Sequence, residues 1–280
     1  MTTWKLLASY WSFEPWMILI CTVLILGYLV LDNLRISRSF LIFSTGVLLL
    51  LLSTSSPLNI LGRNYLFSAS MILHIILLLV IPLILLIGIS PGIINKLSNF
   101  LPSLKVFNIL GKPVVAWILG VGTMWIWHAP DFHSYLLGND YLQFTQILLF
   151  ITVGLIFWLP VFSPMESRRL SPLSSTLYLS SACLSCTVLG ILITFANAGL
   201  YREYLNPVDT LGILNFLRND LCITPSVDQQ IGGLTMWVPG CLIYLVASMI
   251  TIARWYREPE ENSGYRLHDA GYRMNDTNTI

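Results

Sequence analysis

Two methionine–histidine pairs are the residues of this chain best suited to chemistry. Met71 and His74 are three residues apart, and Met124 and His128 are four apart. Either spacing puts both side chains on one face of a helix. A thioether is a soft ligand that selects Cu(I), and imidazole suits copper in either oxidation state, so two such faces at one depth could hold Cu(I) without a carboxylate. A third segment, "SVDQQIGGLTMWVPG", carries Asp228, Gln230, Met236 and Trp237.

Each of these residues also has a purely structural reading. A lone membrane histidine such as His74 often only bonds a neighbouring helix, and Met71, Met124 and Met236 fit as core filler. His133 reads as an interfacial anchor beside Trp125 and Trp127. Ser226 and Gln229 have capping-box spacing, and an acid at position 228 suits a helix N-terminus. Cys183 and Cys186 form C-x-x-C inside an apolar run, where packing is a better reading than redox chemistry. Cys222 has no evident partner.

The elements that must position these groups are membrane helices. The chain has 280 residues, is 55% hydrophobic and only 10% charged, with a mean hydropathy of +0.74. Soluble domains carry about 25% charge. Seven runs approach the roughly 20 apolar residues a crossing needs: Pro15–Leu31, Phe40–Ser56, Leu66–Ile89, Pro113–His128, Tyr141–Phe162, Ser175–Asn197 and Gly232–Arg254. The expected fold is therefore all-α, a polytopic bundle over residues 1–257. The first run reads as a retained helix, since no small-residue cleavage site follows it. Residues 258–280 are polar and are expected to form a disordered tail.

Eleven Lys and Arg residues fall after the odd-numbered runs and four fall on the other side. By the positive-inside rule the N-terminus is outside and the C-terminus cytoplasmic. Met71, His74, Met124, His128 and the Asp228 segment then gather near the outer face. The connection Ala198–Ile231 is longer than a plain loop needs to be, and "TLGILNFLRNDLCI" within it is apolar enough to cover those helix ends.

No G-x-S-x-G, H-E-x-x-H, P-loop or Rossmann glycine pattern is present, so an enzyme is not expected. The runs also lack the buried Asp, Glu and Arg of a proton pump. The basic residues are thinly spread and no block of like charge suggests a nucleic-acid tail, so no nucleic-acid partner is expected.

Several stretches carry a resemblance: "GRNYLFSASMILHIILLLVIPLILLIG", "PVVAWILGVGTMWIWHAPDF", "GLIFWLPVFSP", "LGILITFANAGLYREY" and "DQQIGGLTMWVPGCLIYLVA". From about Gly62 to Arg257 the chain resembles the multi-helix CtaG family of cytochrome c oxidase assembly proteins. The most specific pieces are D-Q-Q-x-x-G-x-x-M-W-x-P-G at Asp228–Gly240 and W-H-x-P at Trp127–Pro130. The resemblance implies a bacterial plasma-membrane protein that helps build a haem–copper oxidase on the copper-delivery side, with oxidase subunits as partners. Carried over by position, the matching residues are His74, Trp127, His128, Pro130, Asp228, Gln229, Gln230, Met236 and Trp237.

Two departures remove potential ligands. A histidine common in the family one turn before His74 is Ser70 here, and an H-x-x-E-H pattern reads Gln143, Gln146 and Ile147. Three readings follow: a reduced copper site of Met71, His74, Met124 and His128; a metal-free membrane chaperone or scaffold, packed closely through Gly233 and Gly240; or, with least support, histidines that ligate haem.

Overall fold

The computed structural model describes residues 10–100, 109–137 and 140–275. Among them the chain is all-helical, with no strand. The elements are α1 (Pro15–Leu31), α2 (Arg38–Ser55), α3 (Pro57–Asn64), α4 (Phe67–Ile75), α5 (Ile81–Ile87), α6 (Pro91–Phe100), α7 (Pro113–Trp127), α8 (Pro130–Leu137), α9 (Asp140–Phe162), α10 (Pro172–Phe195) and α11 (Pro225–Asn275). The backbone of α11 continues as helix through residues 258–275, which composition alone marks as a tail.

Among the described residues, five stretches are long and apolar enough to cross a membrane: Arg38–Ser55, Phe67–Ile87, Tyr141–Phe162, Pro172–Phe195 and Pro225–Tyr256. The other two expected spans, α1 and α7, are 17 and 15 residues long. At 1.5 Å per residue they reach roughly 26 and 22 Å, against about 30 Å of hydrocarbon. Helix α7 stops at Trp127, and His128 is its C-cap, because the chain turns there into the short α8 at Pro130.

Glycines decide how closely the helices approach. The largest helix contact is between α10 and α11. A Cβ on Gly190 would stand 2.8 Å from the Trp237 Cβ, and one on Gly233 would meet the Thr194 backbone nitrogen at 2.8 Å. The approach expected of Gly233 thus occurs inside the bundle. Gly240 contributes less, since its added Cβ would sit 3.3 Å from Cys186 Sγ.

One long stretch is not uniformly helical. Between α4 and α5, residues Ile76–Val80 form a π turn just before Pro82. Proline has no N–H to return to the preceding turn, so the ladder opens there. Trp158 Nε1 donates to the Leu79 carbonyl at 2.9 Å, and Gly154 lets α9 press against Leu78 and Pro82. These contacts hold the α4–α5 stretch against α9, which fixes where His74 meets α9 residues.

Cys183, Cys186 and Cys241 pack between α10 and α11, whereas Cys222 is exposed. Cys186 Sγ donates to the Met236 carbonyl at 3.2 Å, Cys241 Sγ to the Cys183 carbonyl at 3.6 Å, and all five cysteines are free.

Candidate metal centre

Met71, His74 and His128 are brought together by α4 and the end of α7, and all three are buried. His128 Nε2 lies 3.1 Å from Met71 Sδ and 3.4 Å from His74 Nδ1. The two imidazole rings stand edge to face with centroids 5.3 Å apart. His74 also packs edge-on against Phe150 of α9.

Hydrogen bonding fixes the proton on His128. Its Nδ1 lies 2.5 Å from the Met124 carbonyl oxygen. A carbonyl only accepts, so Nδ1 carries the proton, and the Nε2 of the neutral ring presents a lone pair. Met71 Sδ is likewise only an acceptor. Two lone pairs therefore converge at 3.1 Å with no proton of their own between them. Met124 enters the site through this carbonyl, while its buried side chain belongs to the apolar core.

The network continues outward. Gln146 Nε2 is 2.8 Å from His74 Nε2. An amide nitrogen only donates, so His74 Nε2 accepts and His74 Nδ1 carries the proton. That proton points at His128 Nε2 across the longer 3.4 Å contact. Gln146 and His74 both line a cavity of about 550 Å³, whose walls include Glu14, Trp16, Asn59 and Ser70. Met71 and His128 lie behind His74, outside that lining.

Spacing allows a soft cation to replace the shared proton. Two metal–nitrogen bonds of about 2.0 Å at 120° place their nitrogens about 3.5 Å apart. The His74–His128 pair is at 3.4 Å. The Met71 contact of 3.1 Å would widen by a few tenths of an ångström, within the reach of an unbranched side chain. The carbonyl bond that orients His128 is the support a metal-ligating imidazole normally has. A haem fits poorly. Axial imidazole nitrogens stand about 4 Å apart, twice a metal–imidazole bond, across a porphyrin plane, whereas here they are 3.4 Å apart with Met71 Sδ 3.1 Å from one of them. Among the described residues, no group of three or more His, Cys, Asp or Glu side chains is arranged to hold a metal. The residues that would hold a soft cation here are His74, His128 and the Met71 thioether.

The Asp228 segment holds the site without entering it. Leu66 precedes α4 and offers no side-chain cap. The cap comes from α11 instead: Asp228 Oδ2 accepts from the Phe67 N–H at 2.7 Å, and Oδ1 accepts from the Ser68 N–H at 3.0 Å and the Ser68 hydroxyl at 2.5 Å. A carboxylate at exposed N–H groups satisfies donors the helix itself cannot. Gln229 does not close a capping box with Ser226, since α11 already begins at Pro225 and Thr224 Oγ1 accepts from Val227 N–H. Its amide instead ties the end of α10, donating to the carbonyls of Ile193, Ala196 and Asn197 and accepting from Leu200 N–H. Gln230 is exposed, Met236 is buried in the core and Trp237 packs against Gly190.

His133 is not the interfacial anchor its tryptophan neighbours suggest. It is 2% exposed, and its ring centroid lies 6.4 Å from that of His74. His133 Nε2 donates to Tyr204 Oη at 3.3 Å, and that hydroxyl donates to the Gly62 carbonyl at 2.7 Å. Burial pushes its imidazole down to about 4. Tyr201 and Tyr204, which carry no metal-ligand signature, come from the long connection before α11. Tyr201 donates to the His128 carbonyl at 2.9 Å and stacks on Phe67 with centroids 4.0 Å apart. The start of the connection thus covers the cluster, whereas its apolar stretch packs on Leu61, Tyr65 and Leu66 instead. The sequence signal was an aromatic pair three residues apart in "GLYREY".

Comparison with known proteins bears on what such a site serves. Residues 26–258 match the model of the cytochrome c oxidase caa3 assembly factor family, Caa3_CtaG. The chain belongs to that family. No curated protein and no solved structure gives a match. The match spans α2 through most of α11, so the cluster, the Asp228 cap and the tyrosine cover all lie inside the family region. Within this assembly-factor scaffold Gln146 stands on α9 beside the cluster, whereas Ser70 lines the cavity with it.

Proposed function

We propose that the chain is a non-catalytic bacterial plasma-membrane assembly factor that carries Cu(I) toward a nascent cytochrome c oxidase subunit. The observation that supports this most directly is the pair of lone pairs, Met71 Sδ and His128 Nε2, facing each other at 3.1 Å beside His74. Copper is the cargo. It rests on two imidazoles and a thioether, neutral groups that leave only the charge of Cu(I) itself in the bilayer. Met124 supports the site through its carbonyl.

The seven apolar helices form the membrane bundle, with α1 and α7 as short crossings completed by protein neighbours. The N-terminus and the cluster face the outer compartment. Asp228, Gln230, Met236 and Trp237 lie on the helix that presents this face to the oxidase subunit.

A metal-free chaperone is the second reading. It is favoured by the internally satisfied chain from Gln146 through His74 and His128 to the Met124 carbonyl. Copper stoichiometry of the purified protein under reducing conditions separates the two. The first reading expects about one copper per chain, withheld from a Cu(I) chelator and lost in His74→Ala and His128→Ala variants that still fold. Copper no higher than that of an unrelated membrane protein would leave the chaperone reading alone.

A further inference from the structure

We propose that Gln146 is the loading switch of the cluster: its amide orientation selects the His74 tautomer, and the tautomer decides whether a soft cation can bind. The proposal rests on the copper reading above. Its geometry comes from three linked contacts.

The present arrangement is the closed state. The amide nitrogen of Gln146 donates to His74 Nε2 at 2.8 Å, which leaves the His74 proton on Nδ1. That proton occupies the space in front of His128 Nε2, so the lone pairs of both rings are engaged and only Met71 Sδ is left as a vacant donor. The His128 proton takes no part, because the Met124 carbonyl holds it on Nδ1.

Turning the Gln146 amide over places Oε1 where Nε2 stood, and Oε1 can only accept. His74 then carries its proton on Nε2, and its Nδ1 lone pair joins His128 Nε2 and Met71 Sδ. One proton leaves Nδ1 and one is taken up at Nε2, so the ring stays neutral and loading changes no net protonation. The rotation needs room, and Gln146 has it. Its side chain is half-buried at the wall of the 550 Å³ cavity, which also reaches His74. Cargo entering through the cavity meets the Gln146–His74 pair before it reaches Met71 or His128.

Gln146 is thus a positioning residue. The test uses full-length protein labelled with 15N at histidine in detergent, with Gln146→Glu and Gln146→Met variants. Nitrogen shifts report each tautomer, and Cu(I) affinity is measured against a chelator. The metal-free protein should show His74 protonated at Nδ1, and Cu(I) should move that proton to Nε2 while His128 stays unchanged. An ionised carboxylate only accepts. Gln146→Glu should therefore hold His74 at Nε2–H before metal is added and bind Cu(I) about tenfold to a hundredfold more tightly, the usual weight of an outer-shell partner. Gln146→Met, with neither a donor nor a strong acceptor, should give mixed tautomers and intermediate affinity. A His74 already protonated at Nε2 in the metal-free protein, or unmoved by Gln146→Glu, overturns the switch whatever the copper result. A tautomer that moves as expected while no form binds Cu(I) overturns loading and the copper reading together.

Discussion

Removing the Asp228 carboxylate tests whether α11 holds α4 from outside. Asp228 is 2% exposed and accepts three hydrogen bonds, two of them from the first N–H groups of α4. Asp228→Ala leaves Phe67 N–H, Ser68 N–H and the Ser68 hydroxyl without that acceptor. Loss of a helix cap costs about 0.5–2 kcal/mol, and a buried group left unpaired about 1–3 kcal/mol. The Ser68 hydroxyl can turn elsewhere, so the two N–H groups dominate, for a total of roughly 3 kcal/mol. In a domain of this size that lowers the melting midpoint by about 6–12 °C. Asp228→Asn keeps one acceptor oxygen for Ser68 but turns an NH2 toward Phe67 N–H, so it should lose about half as much. Thermal unfolding in detergent, followed by tryptophan fluorescence, measures both. An alanine variant melting within a degree of the unmodified protein, or an asparagine variant no better than alanine, would refute the cap.

Three further outcomes follow from the same geometry. Tyr204→Phe removes the donor to Gly62 and the acceptor for His133, and should cost about 1–3 kcal/mol in denaturation; an unchanged midpoint would mean the covering segment does not hold these helices together. Gly232→Ala would drive a methyl into the Phe67 ring and within 3.3 Å of Met71 Cγ, so it should destabilise by about 1–3 kcal/mol and weaken Cu(I) retention, whereas Gly122→Ala, which meets nothing within 4 Å, should do neither. His133 titrates near 4 when folded, below its ordinary 6.5, because burial disfavours its charged form. Between those values the unfolded chain binds a proton that the folded chain does not. His133 therefore makes stability fall with falling pH across that window, by about 3 kcal/mol. His133→Gln should flatten the profile there, and a profile identical to the parent would refute a buried neutral His133.

The sequence determined the helical class, the apolar runs and the Met71/His74 face, because hydropathy and helical spacing are local properties that need no partner. Pro15–Leu31 and Tyr141–Phe162 were legible to the residue for that reason. The Met124/His128 spacing did not make a second face, since α7 ends at Trp127 and Met124 reaches His128 only through its carbonyl. The family region was legible too, through the D-Q-Q and W-H-x-P stretches. Tertiary structure decided which atoms meet. Nothing local distinguishes Asp228 as a cap for α4 from an acid at the start of its own helix, or Gln229 as the tie for α10 from a capping-box residue, since their partners lie some thirty to one hundred and sixty residues away. His133 looked interfacial because its neighbours are tryptophans, yet a connection seventy residues further on folds over it and removes it from water. The same holds for the cluster. Spacing alone put His74 and His128 on helical faces, but only the Met124 carbonyl and the Gln146 amide fix where their protons sit, and proton position decides whether a nitrogen donates or binds metal.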